Sequence, residues 1–201
     1  MTLPIVTKRL VVRRYTHDDV PDVLVFASQP SVASVTSERI GATEEGVRKY
    51  IALQKSYQPF EKDQVFELAV ERKEDGRVIG LLGLIRGDHR QGEMGWALGV
   101  EYRGQGYATE AARALMDYGF NSLGLHRIHA DTNSDNRASW RVMERLGMRR
   151  EAQLREAVYQ EGKWLDRVIY GMLAEEWRKE AGDAAQGERS SQVLQNPERS
   201  R

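Results

Sequence analysis

A glycine-rich stretch between a predicted strand and a predicted helix has the composition of a diphosphate-binding site. Residues 103–108 read Arg-Gly-Gln-Gly-Tyr-Ala, after a β-rich segment and before an alanine-rich one. The first N–H groups of a helix lack intrahelical acceptors, and the helix dipole adds about half a positive charge there. Gly104 and Gly106 let the backbone approach phosphate oxygens without an intervening Cβ, and Arg103 adds a cation beside them. The stretch therefore predicts an anion site on helix amides.

Two other nucleotide-binding motifs fit this stretch poorly. A P-loop requires a Gly-Lys-Ser/Thr ending, and no such string occurs in the chain. A dinucleotide-binding fingerprint requires a third glycine, where this chain has Thr109. A tight turn without a ligand stays open as the structural alternative.

The composition argues against several other chemistries. The chain has 201 residues and no cysteine, which excludes disulfides, thiolate metal ligands and a cysteine nucleophile. His126 and His129 are three positions apart on or beside a strand, so they point to opposite faces and we expect no metal site. The 30 basic residues balance 30 acidic ones, so no direct nucleic-acid partner is expected. No apolar run approaches the ~18 residues that span a membrane, and we expect a cytoplasmic protein without a membrane partner.

Hydrophobic periodicity and turn residues predict one α/β (α+β) domain. Three β-rich segments joined by short turns, the first at Asp75-Gly76, predict an antiparallel meander. The full predicted order is strand 10–15, helix 20–28, an irregular connection 28–42, a helix after Thr43, strands 65–71, 78–85 and 93–100, a helix from 108, strand 127–132, helix 135–146, and a hairpin of 153–160 and 164–174. This order predicts a single mixed, mostly antiparallel sheet of roughly six to seven strands with helices on both faces. Residues 1–178 form the predicted domain, and the polar composition of residues 179–201 predicts a disordered tail.

Several motifs, in the correct order, resemble the GNAT superfamily of acetyltransferases. Residues 103–108 match its Arg/Gln-x-x-Gly-x-Gly/Ala signature, and the segments 136–139 (Asn-Arg-Ala-Ser) and 144–148 (Glu-Arg-Leu-Gly-Met) resemble its second motif. Similarity to the Rim-type branch, that of ribosomal-protein N-terminal acetyltransferases, is carried by residues 8–14, 18–19, 154–156, 162–166 and Tyr170. The resemblance covers residues 7–178. It implies that acetyl-CoA is the cosubstrate and that the glycine-rich turn holds its pyrophosphate.

The resemblance also implies which residues contact acetyl-CoA. In the family, the strand before the turn splays from its neighbour and pairs with the pantetheine arm. Glycines at 95 and 99 fit this, since glycine inside a strand often marks a close approach. The implied contacts are Leu98 and Val100 through their backbone, Arg103, Gly104, Gln105, Gly106, Tyr107, Ala108 and Thr109 around the pyrophosphate, and Asn136 and Ser139 along the arm and at the sulfur. Helix capping is the alternative role of Asn136.

For the chemistry of amine acetylation, the resemblance implies an acid and a base. Many members use a tyrosine four residues before the glycine that ends the second-motif helix, where this chain has Met143. In the Rim-type branch a serine is the proposed proton donor, and Ser139 matches its position. The implied role of Ser139 is to hydrogen-bond the thiolate sulfur or to relay a proton to it through water. Glu156 matches a Rim-type glutamate base and is favoured over Glu93, which lies near where other branches place one. The alternative interpretations are exposed strand carboxylates and, for Ser139, a position in the first helical turn.

These observations predict direct transfer of acetyl from acetyl-CoA to a primary amine in a ternary complex, since no cysteine is present to carry the acyl group. The acceptor, a protein N-terminal α-amine or a small-molecule amine, would enter between residues 28–42, the second helix and the 160–164 turn. Because Met143 cannot donate a proton, the alternative is a catalytically weak acyl-CoA-binding sensor or assembly module. Zero net charge makes an RNA- or ribosome-associated module without chemistry unattractive. The sequence leaves a homodimer open.

Overall fold

The computed structural model describes residues 3–36, 39–160 and 162–179. Their elements are, in order, β1 (Ile5–Val6), β2 (Leu10–Arg13), α1 (Val20–Ala27), α2 (Pro30–Thr36), α3 (Glu44–Ser56), β3 (Phe66–Arg72), β4 (Val78–Arg86), β5 (Gln91–Leu98), α4 (Tyr107–Asn121), β6 (Arg127–Asn133), α5 (Arg137–Arg145), β7 (Arg149–Gln160) and β8 (Lys163–Leu173). A helical segment, 174–179, follows β8. Of the predicted tail, residues 180–201 lie outside the described residues.

Eight strands of the described residues form one sheet, in the order β1-β2-β3-β4-β5-β6-β8-β7. Neighbouring strands are antiparallel except β5 and β6, which are parallel. The predicted single mixed sheet is confirmed, but it has eight strands rather than six to seven. The additional strand is β1, whose two residues are too few to give a periodic pattern.

Helices cover both faces of the sheet, as predicted. On one face, Leu115 of α4 is buried against strand residues that include Leu82. On the other face, Val47 of α3 is buried in a cluster with α1 and with Leu81. Leu81 and Leu82 belong to different clusters because successive strand residues point to opposite faces. Burying each such side chain stabilises the fold by about 1.5–3 kcal/mol.

Side-chain caps explain where two of the helices begin. The Thr43 hydroxyl accepts the N–H of Gly46 (3.1 Å) at the start of α3. The side-chain oxygen of Asn136 accepts the N–H of Ser139 (3.2 Å) at the start of α5. Each cap supplies an acceptor that the first helical turn lacks. The helix predicted from residue 135 therefore begins at Arg137, after its cap.

Residues 28–42 differ from the prediction of an irregular connection, because they contain α2. Pro30 occupies the first position of this helix, where its fixed φ is already helical. Val32 is fully buried against the layer of α1 and α3. The content of serine and threonine predicted a loop, but Thr36 instead donates its hydroxyl to the Val32 carbonyl (2.9 Å) within the helix.

Candidate active site

A cleft opens in the middle of the sheet, where β5 and β6 diverge. Among the described residues, the two strands pair at three positions, from Gln91–Arg127 to Glu93–His129. Nevertheless β5 runs on to Leu98 and β6 to Asn133. A cavity of about 600 Å³ lies beyond the last pair and has the size of a ligand pocket. The free side of β5 therefore offers backbone hydrogen-bonding groups to this cavity instead of to a strand.

The glycine-rich turn closes one end of the cleft. Gly104 and Gly106 have φ values of +75° and +82°, a conformation that favours glycine because it has no Cβ. A Cβ added at Gly104 would meet no atom within 4 Å, so space is open beside the turn. Gly106 is the N-cap of α4, which places the unpaired N–H groups of the first helical turn at this end of the cleft.

The side chains of Arg103 and Gln105 hold the turn in shape. Arg103 Nε donates to the Leu98 carbonyl (3.0 Å) and Gln105 Nε2 to the Glu101 carbonyl (2.8 Å). Arg103 also lines the cleft, and a guanidinium has further N–H groups for an anion. Gln105 does not line the cleft, so its side chain serves the turn.

Arg9, for which the sequence predicted no role at the turn, holds the turn from the other side. Its Nη1 donates to the Gln105 carbonyl (2.9 Å), and its Nε donates to Glu110 Oε2 (2.6 Å). The guanidinium carbon lies 4.3 Å from the centre of the Tyr107 ring, a cation–π distance. Burial raises the pKa of Glu110, but hydrogen bonds from Thr7 and Arg9 outweigh it and hold the pKa below its usual value. The turn is thus tied to the segment before β2.

Thr109 presents an unused polar atom to the cleft. Its hydroxyl oxygen is buried and has no hydrogen-bond partner among the described residues, and the residue lines the cavity. A buried hydroxyl without a partner costs about 1–3 kcal/mol. A ligand oxygen at the start of α4 would satisfy it, and so the turn fits a phosphate-bearing group.

Along its length the cleft is bordered by α5. Asn136 and Ser139 both line it. The capping bond engages the side-chain oxygen of Asn136 and leaves its amide N–H groups as donors. Met143 is 1% exposed and belongs to the core as well as to the cavity wall, so this position contributes packing and no proton.

A buried carboxylate, Glu67 of β3, also lines the cleft, two strands away from β5. It is 4% exposed, and it accepts hydrogen bonds from the Tyr50 hydroxyl (2.9 Å) and from Arg39 Nη2 (3.1 Å). Burial, together with neighbouring ionisable groups, raises the pKa of Tyr50 and that of Tyr15. The two tyrosine hydroxyls lie 3.4 Å apart. Both tyrosines are therefore neutral across the physiological pH range, and Tyr50 donates its hydroxyl to Glu67.

The structure does not bring the two carboxylates that the sequence suggested as bases to this cleft. Glu156 is exposed in a bulge of β7 with φ +48°, and its N–H donates to Asp166 (3.0 Å). Glu93 is exposed on β5, where its Oε2 lies 3.8 Å from His129 Nε2. Neither residue lines the cavity. A motif match identifies a residue type at a position, but a bulge changes the direction in which the side chain at that position points.

The residues implied as cofactor contacts lie mostly together. Those that line the cleft are Leu98, Arg103, Gly104, Gly106, Tyr107, Ala108, Thr109, Asn136 and Ser139. Val100 does not, and its N–H already donates to Gln29 (2.7 Å). Glu67 was not predicted as a site residue, because a single glutamate in a β-rich segment is usually exposed.

None of the described helices is long and apolar enough to cross a membrane. Within the same residues, no group of three or more histidine and acidic side chains is arranged to hold a metal ion.

Comparison with known proteins gives a consistent picture. Residues 9–149 match the family model described as an acetyltransferase (GNAT) domain. The chain is 33% identical over 175 residues to an uncharacterized N-acetyltransferase, YnaD, of Bacillus subtilis, covering 86% of this chain and 98% of that one.

Two other relatives bear on the branch and on the fold. The putative ribosomal N-acetyltransferase YdaF of Bacillus subtilis is 34% identical over 108 residues, which is 53% of this chain and 59% of that protein. A solved GNAT-family acetyltransferase from Bacillus anthracis superposes with a TM-score of 0.74 at 30% identity, covering 86% of this chain and 99% of that one.

Proposed function

The chain belongs to the GNAT family of N-acetyltransferases, and we propose that it moves acetyl from acetyl-CoA directly to a primary amine. The observation that carries the proposal is the continuous cleft described above. It joins the N-terminus of α4 to Ser139 and then to Glu67, so one cavity reaches an anion site, a hydroxyl and a buried carboxylate.

The residues present fit acetyl-CoA. The N–H groups at the start of α4, the Arg103 guanidinium and the unpaired Thr109 hydroxyl suit a pyrophosphate. The free side of β5, from residue 94 to Leu98, suits the amides of the pantetheine arm, since it offers donors and acceptors in the spacing of a strand. Asn136 adds amide donors from the opposite wall. When bound, acetyl-CoA supplies an activated acetyl group as a thioester.

The residues around the centre of the cleft have two tasks, to stabilise the departing sulfur and to take a proton from the acceptor. We assign the first to Ser139, whose hydroxyl would hydrogen-bond the sulfur or relay a proton to it through water. Met143 leaves no side-chain acid at the position where many family members have a tyrosine. Transfer without an acyl-enzyme is favoured, because the chain contains no cysteine.

For the acceptor we favour an exposed α-amine of a protein, following the Rim-type similarity and the name of YdaF. The acceptor would approach through the end of the cleft bordered by Ser31, Thr36 and Arg39. Small-molecule amines fit the same chemistry.

Release of free thiol from acetyl-CoA, measured with a panel of N-terminal peptides and small amines, tests the proposal. At least one amine should raise thiol release well above the rate without acceptor. Mass spectrometry after incubation of a lysate with labelled acetyl-CoA then identifies the acetylated product. Tight binding of CoA with no turnover on any amine would instead favour an acyl-CoA sensor.

A further inference from the structure

Three residues in register form a row across the sheet. Glu67 of β3 pairs with Gly83 of β4, and Gly83 pairs with Gly95 of β5. Paired residues point to the same face of a sheet, so the Glu67 side chain is followed, strand by strand, by two positions without one. We call this row the glycine trough (Glu67, Gly83, Gly95).

The glycine trough holds the Glu67 side chain over Gly83 and is open at Gly95. A Cβ at Gly83 would lie 3.1 Å from Glu67 Cγ, so the absence of a side chain there makes room for the glutamate. A Cβ at Gly95 would meet no atom within 4 Å. Gly95 and Glu67 both line the cavity. Two strand spacings, about 10 Å, separate their backbones, a distance that a glutamate side chain and one amine or water can span.

Glu67 is held at the end of this trough by contacts from three directions. Its N–H donates to Gln54 Oε1 (2.9 Å), which fixes its backbone to α3. One carboxylate oxygen accepts from Arg39 and the other from Tyr50. Each carboxylate oxygen has two acceptor sites, so one site on each stays available to a ligand donor. A buried carboxylate held in this way is a ready-made partner for an ammonium group.

The glycine trough leads from the Glu67 carboxylate to the part of the cavity that Ser139 lines. Gly95 lies two residues beyond the last pair between β5 and β6, where the strands have begun to diverge. Ser139 lines the same cavity from α5. An amine held by Glu67 above Gly95 therefore faces the cavity in which the proposed function places the acetyl thioester.

We propose that Glu67 binds the acceptor ammonium in the glycine trough and accepts its proton before acetyl transfer. Glu67 takes one proton, the amine nitrogen forms the N–C bond to the acetyl carbon, and the C–S bond breaks. The second amine proton passes to the departing sulfur, and Glu67 returns its proton to solvent, so that one proton is released in each turnover. The inference rests on the proposed function and specifies its acceptor subsite.

The first test is Glu67→Gln, which keeps the shape of the side chain but removes its charge and its capacity to take a proton. We expect kcat/KM for the best amine of the panel to fall by about 100-fold, in the range of a lost general base. The Kd of acetyl-CoA should stay within about twofold, because the turn and β5 are untouched. Glu74→Gln, on the exposed turn after β3, is the matched control and should behave as the wild type.

The second test is Gly95→Ala, which places a methyl group in the open trough without removing a backbone group. It should raise KM for the amine by about fivefold or more. The Kd of acetyl-CoA should rise by less than KM does, because the new Cβ points to the Glu67 face of the sheet and the backbone groups of β5 stay in place. Gly87→Ala is its control, because a Cβ there would meet a single atom at 4.0 Å, in the turn between β4 and β5.

The outcomes separate the two proposals. Wild-type kcat/KM in a folded Glu67→Gln protein would overturn the role of Glu67 and leave the acetyltransferase proposal intact. Equal loss of acetyl-CoA affinity and turnover would also overturn it, since Glu67 would then support the cleft as a whole. Absence of thiol release by the wild type with every amine, despite acetyl-CoA binding, would remove the proposed function and this inference together.

Discussion

Ser139 and Met143 of α5 have different roles in the cleft. Both line the cleft, but Met143 is also a buried core side chain, 1% exposed. A thioether accepts hydrogen bonds weakly and donates none. In the proposed reaction Met143 can therefore give the departing sulfur no proton, and we assign the stabilisation of that sulfur to Ser139. The hydroxyl of one serine can be removed with little disturbance to the helix, which makes its contribution measurable.

Replacing Ser139 with alanine should lower kcat by about tenfold to 100-fold, because the sulfur loses a hydrogen-bonding partner in the transition state. The Kd of acetyl-CoA should change by less than about threefold, since the capping bond uses the backbone N–H of this residue and survives. Steady-state kinetics with isothermal titration of acetyl-CoA measure the two effects. Ser134→Ala, at the start of the loop between β6 and α5, is the control; equal kinetics for both variants would remove Ser139 as the donor.

The glycine turn and the Asn136 cap could be predicted from sequence because their signals are local, within a few residues of chain. Glu67 could not. Its burial depends on Tyr50 and Gln54 of α3 and on the two glycines that lie in register with it on β4 and β5. For Glu156, a motif match predicted a site residue. In the structure it lies in a bulge of β7 and is exposed.

At the scale of elements, α4 and the segment before β2 form one unit around the turn. Glu110, in the first turn of α4, accepts hydrogen bonds from Thr7 Oγ1 (2.7 Å) and from the backbone N–H of Arg9 (2.8 Å). An acidic residue near a helix N-terminus is favourable, and here it also orients Arg9 against the turn. Element order and the sheet class were predictable from periodicity, whereas α2 and the short β1 were not.

Replacing Gly106 with aspartate should raise the Kd of acetyl-CoA by about 100-fold. The new carboxylate would stand at the N-terminus of α4, where it repels phosphate and occupies its place. Gly124→Asp is the matched control, because Gly124 also has positive φ (+65°) and open space, beyond the other end of α4. Comparable melting temperatures for the two variants with unequal acetyl-CoA affinity would support the turn as the site; equal affinity for wild type and Gly106→Asp would exclude it.

A charged cluster links β2 and β3 to the residue that precedes α1. Arg13 of β2 donates two hydrogen bonds to Asp19 (2.8 Å each) and a third to Glu71 of β3. Burial raises the pKa of Asp19, but hydrogen bonds from Arg13 and Thr16 outweigh it and lower the pKa below its usual value. Asp19 is 5% exposed and precedes α1, so its charge supports the packing of α1 on the sheet.

This cluster predicts a pH dependence of stability. A lowered native pKa means that Asp19 contributes stability above its unfolded pKa, about 3.9, and loses that contribution as the pH falls through the native value. Asp19→Asn should therefore cost about 1–3 kcal/mol of unfolding free energy at pH 7, and the difference from wild type should shrink below pH 4. Urea unfolding at pH 7 and pH 3 measures this, with exposed Asp18→Asn as control. A difference that stays constant to pH 3 would contradict it.

The divergence of β5 and β6 has a consequence for the rates at which backbone amides exchange hydrogen with solvent. N–H groups on the free side of β5 beyond Glu93 pair with no strand in the part of the chain that the structure describes, so they should exchange quickly although they lie at the centre of the sheet. A bound pantetheine arm would act as the missing strand and slow them, while amides between β3 and β4 would change little. Deuterium uptake with and without CoA would therefore map the cosubstrate along the chain before any acceptor is known.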